Sequence, residues 1–287
     1  MKLDQIQRIA IVGAGTMGQG IAQVSAMAGY QVLLYDIKPE MLERAQRQIT
    51  KQLDKGIERG KVSESLKTET LGRIAYSTGF DDLKADVVVE AIIEKLSIKQ
   101  ELFQKLEKLN GPEAILASNT SSIPITRIAA AMEHPERFVG MHFFNPAHIM
   151  KLVEVISGAA TSTETAKTIY ELADKLGKKP VMANDAPGFI VNRVARHFYV
   201  EGLKVLEEGV AEVATIDRLV ESSGFRMGPF RLMDLIGVDT NFSVTTSMFE
   251  AFHQDAKFRP SRIQQQKVDA GHHGRKSGRG FYDYSAK

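Results

Sequence analysis

The chain has 287 residues, of which 43% are hydrophobic and 25% charged, with a net charge of +2 and neither Cys nor Trp. That is the make-up of a globular protein of one large domain or two ordinary ones, with enough apolar material for a core. It excludes a disulfide framework, a zinc–thiolate site, and bulk attraction to nucleic acid or a membrane surface. No apolar run approaches the roughly 18 residues that a membrane span needs.

The opening stretch, MKLDQIQRIAIVGAG, carries neither a signal-peptide core nor an Arg- and Ser-rich transit segment, so a cytoplasmic location is expected. RIAIV (8–12) reads as a short strand ending in glycines, and TMGQGIAQVSAMAG follows with helical spacing and a stop at Gly29. QVLLYD (31–36) is a second strand. Residues 39–59 form a long charged helix with Pro39 in its first turn. ADVVVEAI (85–92) is a buried-type strand, followed by the helix IKQELFQKLEKL. AILASN (114–119) and RFVGMHFF (137–144) are further strands. Strands alternating with helices predict a parallel sheet wound on both faces.

Near 184 the rhythm changes. NDAPGFIVNRV carries Pro187 and Gly188, and residues 189–223 show apolar residues at three- and four-residue steps. No strand pattern returns before the tail. The boundary is placed near 185, giving residues 1–185 as a nucleotide-type α/β domain and 186–287 as an all-helical domain. The apolar helices of the latter, with FRMGPFRLMDLIGVD between them, exceed what one small domain buries and point to a homodimer.

GAGTMG places Gly13, Gly15 and Gly18 after a strand and at the start of a helix. Gly13 permits the tight turn, Gly15 lets backbone approach a pyrophosphate, and Gly18 lets helix and sheet pack closely. Thr16 and Met17 share that loop. Asp36 ends the next strand, where a carboxylate bonds a ribose hydroxyl and repels a 2′-phosphate. The cofactor read from this is NAD, although Lys38 stands nearby as a possible phosphate partner. The fold class is therefore α/β: a Rossmann-type doubly wound sheet followed by an all-helical C-terminal domain.

GMHFFNPAHIMKLVEVISG (140–158) raises a separate question, because Glu154 lies inside an apolar run where a charge is expensive. A strand, a loop and a second strand bring Glu154 back beside His142. A carboxylate on one imidazole nitrogen fixes the tautomer and stabilises the cation formed when the other nitrogen takes a proton. Taken alone, His142 reads more readily as a core histidine; Ser121, within the TSSIPIT that precedes a helical run, fits a helix cap, and Asn192 a helix-surface amide.

With the glycine loop, SNTSS, HFFNP, KLVEVI and PGFIVNR in this order, nearly the whole chain resembles the L-3-hydroxyacyl-CoA dehydrogenases, with the bacterial single-function 3-hydroxybutyryl-CoA dehydrogenases nearest. The resemblance implies NAD-dependent oxidation of an (S)-3-hydroxyacyl-CoA, an acyl-CoA substrate, His142 as the catalytic histidine and Glu154 as its carboxylate. It implies that Ser121 bonds the substrate oxygen and that Asn192 is contributed by the helical domain. Glu94, Lys99 and Asn145 match positions lining the cofactor site, as does Lys276 in the tail. Lys55 and Arg59 are the candidates for coenzyme A, in a stretch that matches the family poorly.

Other readings stay open on sequence. The acyl chain is short, or it carries a distal carboxylate, as in 3-hydroxyadipyl-CoA, that Arg196, Arg226 or Arg231 would meet. A sugar-acid dehydrogenase on the same fold and a non-catalytic NAD-binding protein are the remaining alternatives. The other histidines read as structural or exposed. The pair His272–His273 lacks a third ligand at a useful spacing, so no metal site is expected.

Overall fold

Short β-branched runs bounded by glycine, and amphipathic segments between them, build the first two-thirds of the chain. The computed structural model describes residues 1–285 and divides the chain into two compact units, Met1–Ala186 and the remainder from Pro187. The first unit holds strands β1 (Arg8–Val12), β2 (Gln31–Tyr35), β3 (Ile74–Ser77), β4 (Val87–Glu90), β5 (Ile115–Ser118), β6 (Phe138–Phe143), β7 (Leu152–Ser157) and β8 (Lys179–Asn184). Between them run α1 (Thr16–Met27), α2 (Pro39–Glu58), α3 (Glu64–Gly72), α4 (Leu96–Leu109), α5 (Ile125–Ala129) and α6 (Thr163–Lys175).

The sheet order is β3-β2-β1-β4-β5-β6-β7-β8. Pairing is parallel from β3 through β6, as the alternation predicts, but β6 and β7 are antiparallel. The physical reason is the connector. It runs only from 144 to 151, whereas parallel neighbours need a crossover of roughly a dozen residues or more. β8 follows α6 and pairs parallel with β7, so the last two strands run against the first six. Ile9, Ile11, Leu34, Val87, Val89 and Val153 pack the sheet interior and are at most 1% exposed. Fully buried strands of this kind read as continuous apolar runs.

The second unit contains α7 (Val191–Glu207), α8 (Val213–Ser222), α9 (Pro229–Ile236), α10 (Val238–Ala251) and α11 (Arg262–Asp269). The helical region expected over 189–223 consists of two helices. Gly209, at φ +69°, ends α7, with bonds from Gly209 N to Leu206 O and from Val210 N to Val205 O. These are the two bonds of a Schellman cap, which only a left-handed residue completes. Tyr199, Leu203, Ile216, Phe230 and Met233 form this unit's core. Two buried carboxylates tie down the tail. Asp217 accepts from Phe230 N, Arg231 N and the Tyr282 hydroxyl, and Asp234 accepts from Phe281 N and Tyr282 N. No helix among the described residues is long and apolar enough to cross a membrane.

Candidate active site

The glycine loop has the shape its sequence demands. Gly13 is at φ +104°, and a Cβ there would lie 2.6 Å from Ala91 O. A Cβ on Gly18 would lie 1.7 Å from Gly13 O, so helix and loop touch backbone to backbone. A Cβ on Gly15, by contrast, would meet nothing within 4 Å. The chain itself therefore has no need of glycine at 15, and the open space at the N-terminus of α1 fits a pyrophosphate. Thr16 and Met17 open α1 directly behind it. Asp36 closes the loop from the next strand: its Oδ2 accepts from Ala14 N at 2.8 Å and its Oδ1 from Lys38 N at 3.0 Å.

His142 and Glu154 face each other on one rung of the antiparallel β6–β7 pair. Residues directly opposite across such a pair have neighbouring side chains, so a twelve-residue separation in sequence becomes contact in space. His142 Nδ1 lies 2.7 Å from Glu154 Oε2, with the residues 5% and 0% exposed. At that distance the neutral ring presents Nδ1–H to the carboxylate, which leaves Nε2 as its basic nitrogen. Phe144 packs on the imidazole with centroids 4.6 Å apart. Asn145 is exposed and joined to Pro146 by a cis peptide bond.

The Ser121 turn is held by a charge network, exposed at Glu94 and buried at Glu90 and Lys99, that the sequence does not announce. Glu94 Oε1 accepts from Thr120 Oγ1 at 2.5 Å, Ser121 N at 3.0 Å, Ser122 N at 3.1 Å and Ser122 Oγ at 3.0 Å. Burial raises the Glu94 pKa, but Lys99, the Thr120 hydroxyl and Ser121 N–H outweigh it and hold the carboxyl below its usual value. Lys99 is 1% exposed, with Nζ 2.5 Å from Glu90 Oε1 and 3.1 Å from Glu94 Oε2. The Ser118 hydroxyl donates to Glu90 Oε2 at 2.6 Å and accepts from Thr120 N at 3.2 Å, which closes the ring. Lys99 thus spends its charge on two carboxylates beneath the turn.

Neither serine caps the helix that follows. Ile125 N and Thr126 N of α5 instead donate to Asp185, at 3.0 and 2.8 Å. Asn119 is a further positioning residue that motif reading passes over, its Oδ1 accepting from Phe143 N at 2.8 Å and so joining SNTSS to HFFNP.

In the second unit, Gly188 and Phe189 are consecutive left-handed residues at φ +73° and +48°, and Asn192 lies in the first turn of α7 just after them. Lys276 forms an ion pair with Asp239 at 2.7 Å. Arg196 is buried and donates to Asn241 O and Thr245 Oγ1; Arg231 pairs with Glu221; Arg226 is exposed. In the first unit, Lys55 and Arg59 are exposed at the C-terminal end of α2.

Residues 8–186 match the family model described as 3-hydroxyacyl-CoA dehydrogenase, NAD binding domain, and residues 188–284 match 3-hydroxyacyl-CoA dehydrogenase, C-terminal domain. The chain is 45% identical to a probable 3-hydroxybutyryl-CoA dehydrogenase of Bacillus subtilis, over 99% of each chain. It is 49% identical to the 3-hydroxyadipyl-CoA dehydrogenase of Escherichia coli, over 98% of this chain but only 60% of that one. A crystal structure of (S)-3-hydroxybutyryl-CoA dehydrogenase from Ralstonia eutropha superposes with a TM-score of 0.94 at 40% identity, covering 98% of this chain and 99% of the other.

Proposed function

The chain belongs to the 3-hydroxyacyl-CoA dehydrogenase family, and from that premise we propose that it oxidises (S)-3-hydroxyacyl-CoA reversibly to 3-ketoacyl-CoA with NAD. A short acyl chain, 3-hydroxybutyryl, is the preferred substrate, in keeping with the full-length relatives from B. subtilis and R. eutropha. The observation that carries the reading is the buried His142–Glu154 contact at 2.7 Å in a unit that also carries an open glycine loop.

Oxidising a secondary alcohol requires loss of a hydride from carbon and of a proton from oxygen. NAD, when bound at the glycine loop, supplies the hydride acceptor. His142 Nε2 takes the hydroxyl proton, and the ring becomes cationic where water is scarce. Glu154 stabilises that cation and fixes the ring tautomer, which histidine alone achieves poorly in a buried site. Ser121 and Asn192 hydrogen-bond the substrate oxygen as negative charge gathers on it. Asp36 selects NAD over its 2′-phosphorylated form. Gly13, Gly15, Thr16, Met17 and Gly18 form the pyrophosphate cradle. Glu94 and Asn145 line the cofactor side, with Lys99 acting through Glu94. Lys276, which pairs with Asp239, is the tail's candidate for the same cofactor. Lys55 and Arg59 offer positive charge to coenzyme A.

A second reading, 3-hydroxyadipyl-CoA as substrate, is favoured by the E. coli relative's name at 49% identity. Against it, Arg196 and Arg231 are already engaged within their own unit. Val194, Leu219, Phe225 and Leu235 of the second unit are between 49% and 71% exposed, an apolar surface that suits a homodimer. A cysteine-free sequence and this chemistry suit the cytoplasm.

The test is loss of NADH absorbance with acetoacetyl-CoA, beside His142→Ala and an NADPH control. Turnover with NADH that is abolished in the variant supports the reading. No turnover with NADH bound would refute it. The ratio of rates on the butyryl and adipyl thioesters separates the two substrates.

A further inference from the structure

We propose that Lys178 is a positioning residue for the His142–Glu154 pair, its buried side chain clamping both ends of the turn that joins the two. The inference rests on the assignment of that pair under the proposed function.

Lys178 lies between α6 and β8, far from the glycine loop in sequence, and is only 4% exposed. Its Nζ donates to Ala147 O at 2.5 Å and to Met150 O at 3.0 Å. Those carbonyls belong to the connector between β6 and β7, where Ile149 N and Met150 N both bond back to Pro146 O. The connector therefore coils into a single turn whose outward carbonyls have no following helix to satisfy them. A buried lysine supplies the missing donors.

Buried lysines ordinarily pair with an acid. Among the described residues no carboxylate pairs with Lys178; Lys151 repels it, and His148 beside it is kept neutral, its pKa lowered by burial and then by Lys178 itself. Burial, then Lys151, pushes its pKa down to about 8. A cation kept in such a place at physiological pH serves the carbonyls it touches. Ala147 also packs closely on α1, where a Cβ on Gly20 would lie 3.0 Å from its side chain. The connector is thus held by Lys178 where it passes close to α1, and it joins the strands that carry His142 and Glu154.

The test uses the full chain with Lys178→Met. The first readout is spectroscopic and needs no turnover: the downfield proton resonance of His142 Nδ1–H, assigned by its loss in His142→Gln. In Lys178→Met that resonance is expected to move upfield or broaden into solvent exchange, and kcat with acetoacetyl-CoA to fall about tenfold as the pair loosens. NADH affinity is expected to fall less than kcat, because the glycine cradle is intact and only Asn145 of the cofactor side lies on the loosened connector. Lys178→Gln, which keeps two N–H donors, should recover part of both signals and serves as the test if the methionine variant does not fold.

An unchanged Nδ1–H resonance in a folded variant would overturn the proposal whatever the activity. A wild-type protein that shows the resonance but does not turn over acetoacetyl-CoA would instead refute the function and leave the positioning role to the spectrum.

Discussion

His142 and Glu154 are partners on one rung of an antiparallel ladder, with Nδ1 and Oε2 2.7 Å apart. Side chains on adjoining strands share a face only in alternate positions, so a shift of one residue in this pairing would send Glu154 to the opposite face of the sheet. The contact is set by sheet register and does not depend on either side chain searching for the other.

Glu154→Gln keeps the size of the side chain and removes its charge. We expect kcat to fall roughly 100-fold, with NADH affinity little changed, because the imidazolium loses its counter-charge. Steady-state kinetics beside an NADH titration checks this, and wild-type kcat in the variant would remove Glu154 from the mechanism.

The glycine loop separates two roles that one motif joins. Gly18→Ala places a methyl 1.7 Å from where Gly13 O lies, so the loop must distort and the melting temperature should drop. Gly15→Ala meets no protein atom within 4 Å and should melt like wild type. Its NADH affinity should nevertheless fall at least about tenfold, because the methyl occupies the place of the pyrophosphate. Calorimetry for melting and for binding gives both answers. Retained NADH affinity in Gly15→Ala would argue against that placement.

On the proposed reading, Asp36 discriminates between cofactors by charge. Asp36→Ala should raise the KM for NADH about tenfold or more and narrow the preference over NADPH. It also frees Ala14 N, which Asp36 now accepts from, so part of the loss will reflect a looser loop. Kinetics with both cofactors decides how the loss divides.

Lys99→Met should be the most destabilising of these changes. It leaves Glu90 buried without its cation, and removing one partner of a buried ion pair costs about 3–5 kcal/mol. Adding Glu90→Gln to Lys99→Met should recover part of that loss, since the uncompensated charge is then gone. Urea unfolding of both variants measures the coupling. Equal stability of the single and double variants would mean that the charge pair is not what holds the turn.

Stability should also respond to Lys178 on the alkaline side. Its folded value of about 8 lies below its ordinary 10.5. Between those limits the unfolded chain holds a proton that the native chain has released, so the free energy of unfolding rises with pH through that window. The wild-type urea midpoint minus that of Lys178→Met should therefore increase from pH 8 to about pH 10. A flat difference would mean that Lys178 titrates as it does in water.

What the sequence discloses follows from how local the cause is. The glycine loop, Asp36 and five of the six parallel strands that surround them are written in contiguous patterns of apolar runs and glycines, while β3, IAYS, buries only Ile74 and is not foreseen. β8, KPVMAN, is half exposed along its length and carries no such run, and α3, ESLKTETLG, buries only Thr70. Neither yields to periodicity, because most of their stabilisation comes from neighbours distant in sequence. Lys99 looks like a solvent-facing helix residue until Glu90 is seen beneath it. Ser121 and Ser122 resemble caps for α5, yet the cap is Asp185, about 60 residues away by sequence separation. In each case the missed cause is a side chain on another element, which no reading of adjacent residues supplies.

Asp185 has one more implication. It is the penultimate residue of the first unit, and it holds the segment just after Ser121. The bonds that shape the Ser121 turn and the His142–Glu154 rung therefore lie on the same side of a cut made after Ala186. A polypeptide ending there loses Asn192 but keeps its sheet, its glycine cradle and its charge ring. Such a half-molecule should fold by itself and bind dinucleotide while turning nothing over, which makes recognition of the cofactor and chemistry on the substrate properties that can be purified apart.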